Sequence, residues 1–183
     1  AINWEKSARE IDNSNPDKLW VFDPNFGGSS NCWTGCTPRF MPNDFRLRST
    51  YGVGADWPVS YDDLEPYYCD VEEIMSIAGP EDTPFARSRP YPLKPHPISN
   101  FDKLVKEKYP DLYVSQPAAR PTAHVGKRVQ CCSTTVCNLC PVDSKFTIEN
   151  SLRYLYDHPS VTVSFNSRVF SLIIENGVAK GVM

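Results

Sequence analysis

Phe26-Gly27-Gly28-Ser29-Ser30-Asn31-Cys32-Trp33-Thr34-Gly35 opens the stretch on which the reading of this chain turns. Three more blocks follow in order: Arg39-Phe40-Met41-Pro42-Asn43-Asp44-Phe45, Tyr51-Gly52-Val53-Gly54-Ala55-Asp56-Trp57-Pro58, and Tyr61-Asp62-Asp63-Leu64-Glu65-Pro66-Tyr67-Tyr68. The first block is a glycine turn. Paired glycines followed by small serines let the backbone approach a ligand closely, because no Cβ stands in the way.

Outward from that turn the texture is uneven. Residues 17–22 read as a short strand leading into it, and residues 37–58 are loop-rich. Ser60, with Asp63 three positions on, predicts a capping box. A helix is expected from there to about Ala78, with Pro66 in its first turn and Gly79-Pro80 as its stop. Tyr67, Val71, Ile74, Met75 and Ala78 recur at helical spacing and predict its core face. Residues 84–97 hold five prolines and read as extended backbone, with Phe85, Tyr91, Leu93 and Ile98 suited to packing on a surface. A short helix is expected from Ser99 to about Lys108. Another is expected over 147–157, with Ile148, Leu152 and Leu155 on one face and Pro159 barring its extension. Residues 161–165, 169–174 and 178–183 have a strand pattern, the last two joined at Asn176-Gly177, a two-residue hairpin turn. A chain that ends inside a strand suggests truncation.

Composition sets bounds. The 183 residues suffice for one sizeable core. Hydrophobic content of 40% and charged content of 22% describe a soluble globular chain. A net charge of −3 gives no nucleic-acid footprint. No apolar run is long enough for a transmembrane segment. The first residues, Ala1-Ile2-Asn3-Trp4, lack the basic and apolar regions of a secretion signal.

Four of the seven cysteines, Cys131, Cys132, Cys137 and Cys140, fall within ten residues, with Pro141 directly after. Ligand thiols cluster on one loop because a metal centre needs several of them to converge. Disulfides are one reading, although neighbouring Cys131 and Cys132 would have to pair elsewhere and an odd count leaves one thiol over. Zinc is a second: Cys137 and Cys140 form C-x-x-C, but His124 and His158 supply no second ligand pair. An iron–sulfur cluster is the third, suited to short irregular spacings that end in Cys-Pro. Cys36 and Cys69 read as small buried residues.

The ordered blocks from Phe26 to Tyr68 resemble the glucose–methanol–choline family of FAD oxidoreductases, in particular its branch of bacterial FAD-dependent sugar dehydrogenases. The resemblance runs from about residue 20 to the end. It implies an α/β flavoprotein fold, α+β within these residues, with a substrate-domain segment. Residues 1–56 would belong to the FAD-binding domain, 57–130 to the substrate-covering region, 131–146 to a cysteine loop, and 147–183 to the FAD-binding domain again. Gly27, Gly28, Ser29 and Ser30 would lie against the flavin, and Asn31, Cys32, Trp33 and Thr34 would continue along its ring edge. Cys32 departs from a family histidine that in some relatives bonds covalently to FAD. Val169 would contact the adenine through its backbone.

The same branch has Cys-Cys, four residues, then Cys, three thiolates that hold a [3Fe–4S] cluster relaying electrons from flavin to a cytochrome. That implies Cys131, Cys132 and Cys137 as ligands. Cys140 sits one residue closer than a non-ligand cysteine of those relatives, so a fourth ligand and a [4Fe–4S] centre stay open. The implied activity is oxidation of a sugar, polyol or alcohol CH–OH group, with electrons leaving for a cytochrome or other acceptor subunit. A relay favours a dehydrogenase over an oxidase, whose flavin oxygen itself reoxidises. A cluster-free oxidase or choline-type dehydrogenase and a non-catalytic zinc- or partner-binding module are the alternatives. The family's dinucleotide fingerprint and its proton-accepting histidine are not in these residues, and His96, His124 and His158 match no catalytic motif, so no catalytic residue is assigned. An internal piece of a larger enzyme is expected. By analogy it would work on the periplasmic face of the bacterial inner membrane, with the cytoplasm as the alternative.

Overall fold

A computed structural model of the chain describes residues 14–15, 17–18 and 23–183. The architecture is mixed: short helices and one small antiparallel sheet. The strand expected over 17–22 falls mostly on residues 19–22, outside the described residues. The chain divides into two compact units, Ala1–Ser151 and Leu152–Met183.

In the first unit, two residues of the loop-rich stretch show why it still holds shape. Pro42–Phe45 forms a 3₁₀ turn and Leu47–Tyr51 a short helix, α1, closed by Gly52 at φ 74°. Phe45, 1% exposed, is boxed by the rings of Phe40, Trp57 and Tyr61. The next helix, α2, spans Tyr61–Met75 and starts as expected. Ser60 Oγ accepts the Asp63 N–H at 3.3 Å, and Asp63 Oδ2 accepts the Ser60 N–H at 2.8 Å.

Three expectations for α2 are corrected. Pro66 lies inside the helix rather than in its first turn. The missing bond there would have gone to the carbonyl of Asp62, an exposed residue whose oxygen water can reach. The helix stops at Ser76, a left-handed residue at φ 53°, ahead of Gly79-Pro80. Of the expected core face, Ala78 is buried beyond the helix end and Met75 half-buried, but within the helix the buried face is the other one. Tyr67, Val71 and Ile74 are 65%, 50% and 58% exposed, while Tyr61, Cys69 and Glu72 are buried. The inward turn is made by polar chemistry. Arg39 Nε and Nη2 donate to the two carboxylate oxygens of Glu72 at 2.8 and 2.9 Å, and Arg39 also reaches Glu65, Tyr61, Cys69 and the Ala86 carbonyl.

The core of this unit is a lattice of extended segments rather than a sheet. Ala78 and Ala118 exchange both backbone bonds at 2.9 Å, Leu93 bonds Ile77 and Gly79, and Thr37 bonds Pro117. Ile77, Ala78, Ala118 and Ala119 are fully buried. The proline-rich stretch does pack here: Phe85, Tyr91, Leu93 and Ile98 are all half-buried, and the Tyr91 ring lies so close to Gly79 that a Cβ there would clash with it. Helix α3, Asn100–Lys108, starts at Ser99 as expected. One extended segment of this lattice meets both ends of the cysteine loop, because Pro121 accepts from Cys131 and Ala119 accepts from Phe146.

The helix expected over 147–157 is two short turns, α4 (Ile148–Ser151) and α5 (Arg153–Tyr156), broken at Leu152. Thr147 and Asn150 cap the start of α4 reciprocally, the Thr147 N–H donating to Asn150 Oδ1 and the Asn150 N–H to Thr147 Oγ1, while Asn150 Nδ2 reaches the carbonyls of Lys145 and Asp143. Leu155 is 47% exposed, so the expected apolar face is not a core face.

In the second unit, residues 161–165 are not a strand, because no partner strand pairs with them among the described residues. The hairpin is present: β1 (Leu172–Glu175) and β2 (Val178–Val182) pair with Glu175 opposite Val178, through Asn176 and Gly177 at φ 51° and 75°. Two positive φ values are the signature of the type I′ turn that Asn-Gly favours. The first strand begins at Leu172 rather than Val169. No helix among the described residues is long and apolar enough to cross a membrane.

Candidate functional site

The glycine turn is braced from below and open above. Gly27 sits at φ 93° and Gly28 at φ 55°, and Gly28–Asn31 forms a 3₁₀ turn. A Cβ on Gly27 would meet Asn31 Oδ1 at 2.8 Å, whereas among the described residues nothing stands within 4 Å of one on Gly28. Glycine at 27 is therefore a packing requirement, and glycine at 28 leaves main chain accessible. Buried Asp23 anchors the turn, accepting from Asn25 N–H at 3.0 Å and from Asn31 Nδ2 at 3.0 Å. Burial alone would raise the Asp23 carboxyl; its bonds from Asn25 and Asn31 outweigh that and hold it below the usual range. The side chains of Ser30 and Asn31 are used within the protein: Ser30 Oγ donates to the Gly27 carbonyl at 2.6 Å, and Asn31 Nδ2 to that of Phe26 at 2.9 Å. Cys32 Sγ lies 3.5 Å from the Ser29 carbonyl. Val169 belongs to the second unit and is 57% exposed.

The cysteine loop is strained in a way that keeps it open. Ser133 and Thr135 take φ of 53° and 64°, unfavourable for a hydroxyl-bearing and especially a β-branched residue. Cys131, Cys132, Cys137 and Cys140 line one cavity of about 360 Å³, together with His96, Arg120 and Lys145. All seven cysteines are free thiols, and among the described residues no three His, Cys, Asp or Glu side chains are gathered into a ready metal site. Cys36 is exposed, against expectation, while Cys69 is buried.

Donors are aimed at the sulfurs. Arg120 Nη1 donates to Cys137 Sγ at 3.0 Å, the Ser144 N–H to Cys140 Sγ at 3.3 Å, and the Ser133 N–H to Cys131 Sγ at 3.5 Å. Arg120 Nε is buried with no partner. Burial would push the Cys140 thiol up, but the N–H groups of Lys145, Val142 and Ser144 and the Lys145 charge outweigh it and lower its pKa. His96 Nε2 faces the Arg120 carbonyl at 2.7 Å, and burial holds its imidazole below the ordinary value. These residues fit a sulfur-bound anionic centre: the donor set is thiol, N–H groups point at sulfur, and an orphaned guanidinium N–H waits on the same side.

The glycine turn and the cysteine loop, more than a hundred residues apart, are laced together. Trp33 Nε1 donates to the Phe146 carbonyl at 2.8 Å, and the Ile148 N–H donates to Ser30 Oγ at 3.1 Å. Lys145 Nζ donates to the carbonyls of Asn31 and Trp33 on one side and of Cys137 on the other, at 2.8–2.9 Å. Thr34 shares a second cavity, about 380 Å³, with Thr135, Val136, Cys137 and Asn138. Lys145 and Arg120 were not singled out by the sequence reading. A lone lysine after Cys-Pro and an arginine before Pro121 carry no spacing signal of their own.

No family model matches the chain. Over 128 residues, 66% of its length, it is 39% identical to the fructose dehydrogenase large subunit of Gluconobacter japonicus, and it covers 24% of that protein. Over 57 residues it is 42% identical to 2-methyl-1,2-propanediol dehydrogenase of Mycolicibacterium austroafricanum, covering 10% of it. An alignment over 94% of the chain is 27% identical to 6'''-hydroxyparomomycin C oxidase of Streptomyces lividus and covers 34% of that protein. By name these relatives are oxidoreductases, two dehydrogenases and one oxidase. The chain spans about a third of one of these relatives and less of the other two.

Proposed function

We propose that this chain is part of an FAD-dependent dehydrogenase of the glucose–methanol–choline type, oxidising a CH–OH group of a sugar, polyol or alcohol. In this reading Cys131, Cys132 and Cys137 hold a [3Fe–4S] cluster, with Cys140 available as a fourth ligand, and an external acceptor such as a cytochrome subunit takes the electrons. When bound, the flavin supplies hydride acceptance and the cluster one-electron relay.

The observation that carries the proposal is the lacing of the glycine turn to the cysteine loop through Lys145, Trp33 and Ser30. A relay needs its two centres near each other. The chain's residues then have distinct tasks. Gly28 offers open main chain to the flavin, and Asp23 and Asn31 stiffen the turn beneath it. Arg120 and the Ser133 and Ser144 N–H groups stabilise negative sulfur. The cysteine loop supports this choice over an oxidase, since the named relatives include both dehydrogenases and an oxidase.

Analysis of the purified holoprotein for flavin, iron and acid-labile sulfide tests the proposal, together with an electron paramagnetic signal from the oxidised state. Flavin with iron and sulfide is the expected result. Zinc in place of iron would refute the relay, and absence of flavin would refute the whole reading. The isolated 183 residues are expected neither to retain FAD firmly nor to turn over substrate.

A further inference from the structure

Lys145 is 1% exposed, yet its ammonium is bonded to no carboxylate. Its partners are four backbone carbonyls: Asn31 at 2.9 Å, Trp33 at 2.8 Å, Cys137 at 2.9 Å and Asn138 at 3.4 Å. Two belong to the glycine turn and two to the cysteine loop. An ammonium has three protons, so this nest saturates it. Burying a cation is costly, and apolar packing would join two loops at less cost. The cation adds a single point at which both main chains are fixed, and a fixed positive charge beside the thiols.

The surroundings are shaped to admit it. Gly35, buried at φ 76°, lies under the lysine stem: a Cβ there would stand 3.3 Å from both Lys145 Cγ and Arg120 Cγ. On either side of Lys145, Ser144 is fully buried and Phe146 receives the Trp33 indole, so the segment cannot slide.

We infer that Lys145 is a positioning residue that clasps the glycine turn to the cysteine loop and so fixes the spacing across which electrons pass. The inference rests on the relay proposed above. With both groups bound, the flavin would supply two electrons, and the cluster would accept them one at a time and pass each to the external acceptor. The Lys145 ammonium is spent on main-chain carbonyls rather than on a sulfur. It acts through the backbone of Asn31, Trp33, Cys137 and Asn138.

The test uses the holoprotein with Lys145→Met and Lys145→Arg. In Lys145→Met, transfer from flavin to cluster should slow about 10- to 100-fold, well beyond any change in flavin reduction by substrate. The cluster midpoint potential should fall, because a nearby positive charge has gone. Independently of any cofactor, amides of residues 29–34 and 137–139 should exchange hydrogen faster together. Lys145→Arg, which keeps charge and donors, should recover most of the transfer rate and the potential. If Lys145→Met does not fold, Lys145→Gln, neutral but still a donor, should show the same losses in smaller measure. Unchanged transfer in a protein that carries flavin and cluster overturns the inference and leaves the relay standing, as does loosening confined to one loop. A wild type without iron and sulfide overturns the relay, and the electron-transfer role falls with it even where both loops loosen together.

Discussion

Under α2, Arg39 has a partner for each of its nitrogens, whereas at the cysteine loop Arg120 keeps a buried Nε with none. Arg39 is 1% exposed at the side chain and meets Glu72 through two near-parallel bonds, with Glu65, Tyr61, Cys69 and the Ala86 carbonyl taking the rest. Burial would lower its pKa, but those bonds, Glu72's foremost, raise it, so it is charged throughout. Its own nitrogens are all met by groups of that region. Arg120 donates to a thiol instead of a carboxylate, beside two strained residues and a cavity. The first arrangement uses charge to orient a helix. The second leaves capacity for a group that is more negative than a neutral thiol.

The contrast can be broken most forcefully at Arg39. Arg39→Met leaves half-buried Glu65 without its cation and buried Glu72 with Arg87 alone, at 2.7 Å. Removing one partner of a buried pair costs about 3–5 kcal/mol, so the denaturation midpoint should drop sharply. A loss under about 1 kcal/mol would show that α2 is oriented by packing rather than by charge.

Acid titration gives the next largest effect. The Cys69 thiol and the Ser88 N–H hold the Glu65 carboxyl down at about 2, from an ordinary 4.5. A depressed carboxylate stabilises the fold above its unfolded value and loses that contribution as pH falls, here between about 4.5 and about 2. The contribution is about 2 kcal/mol after allowance for solvent at a partly open site. Cys69→Ala removes the foremost cause and should flatten the stability profile across that window. An unaltered profile would show that Cys69 does not set the Glu65 value.

What could be read in advance was chemistry local to the backbone. Ser60 with Asp63 predicts a helix start because both partners lie within one turn, and Asn176-Gly177 predicts a hairpin because two positive φ values need those residue types. The direction in which α2 faces was not readable. Tyr67, Val71 and Ile74 recur at helical spacing, but so do Glu65, Cys69 and Glu72 on the opposite side, and the choice between them is made by Arg39, more than twenty residues away. The candidate site divides the same way. Its glycines and cysteines announce themselves by type and spacing. Lys145 and Arg120 matter because of where folding puts their ends, against carbonyls and a sulfur that no sequence pattern couples to them.

Arg120 offers the sharpest form of the comparison, since there the two regions should respond in opposite currencies. Arg120→Met removes a donor from Cys137 Sγ and a buried N–H that has no partner to lose. Deleting an unsatisfied group relieves a cost, so folding stability should change by less than about 1 kcal/mol, against several for Arg39→Met. Retention of the proposed cluster should respond far more. Partners of metal ligands typically matter by about 10- to 100-fold in affinity, so iron should be lost to a chelator faster by a factor in that range. Arg120→Lys, which keeps the charge but not the planar fork, should fall between. The comparison holds only if the two readouts separate: equal and large stability losses at Arg39 and Arg120, with iron retention untouched, would make Arg120 a second structural arginine and leave Cys137 without a partner that tunes it.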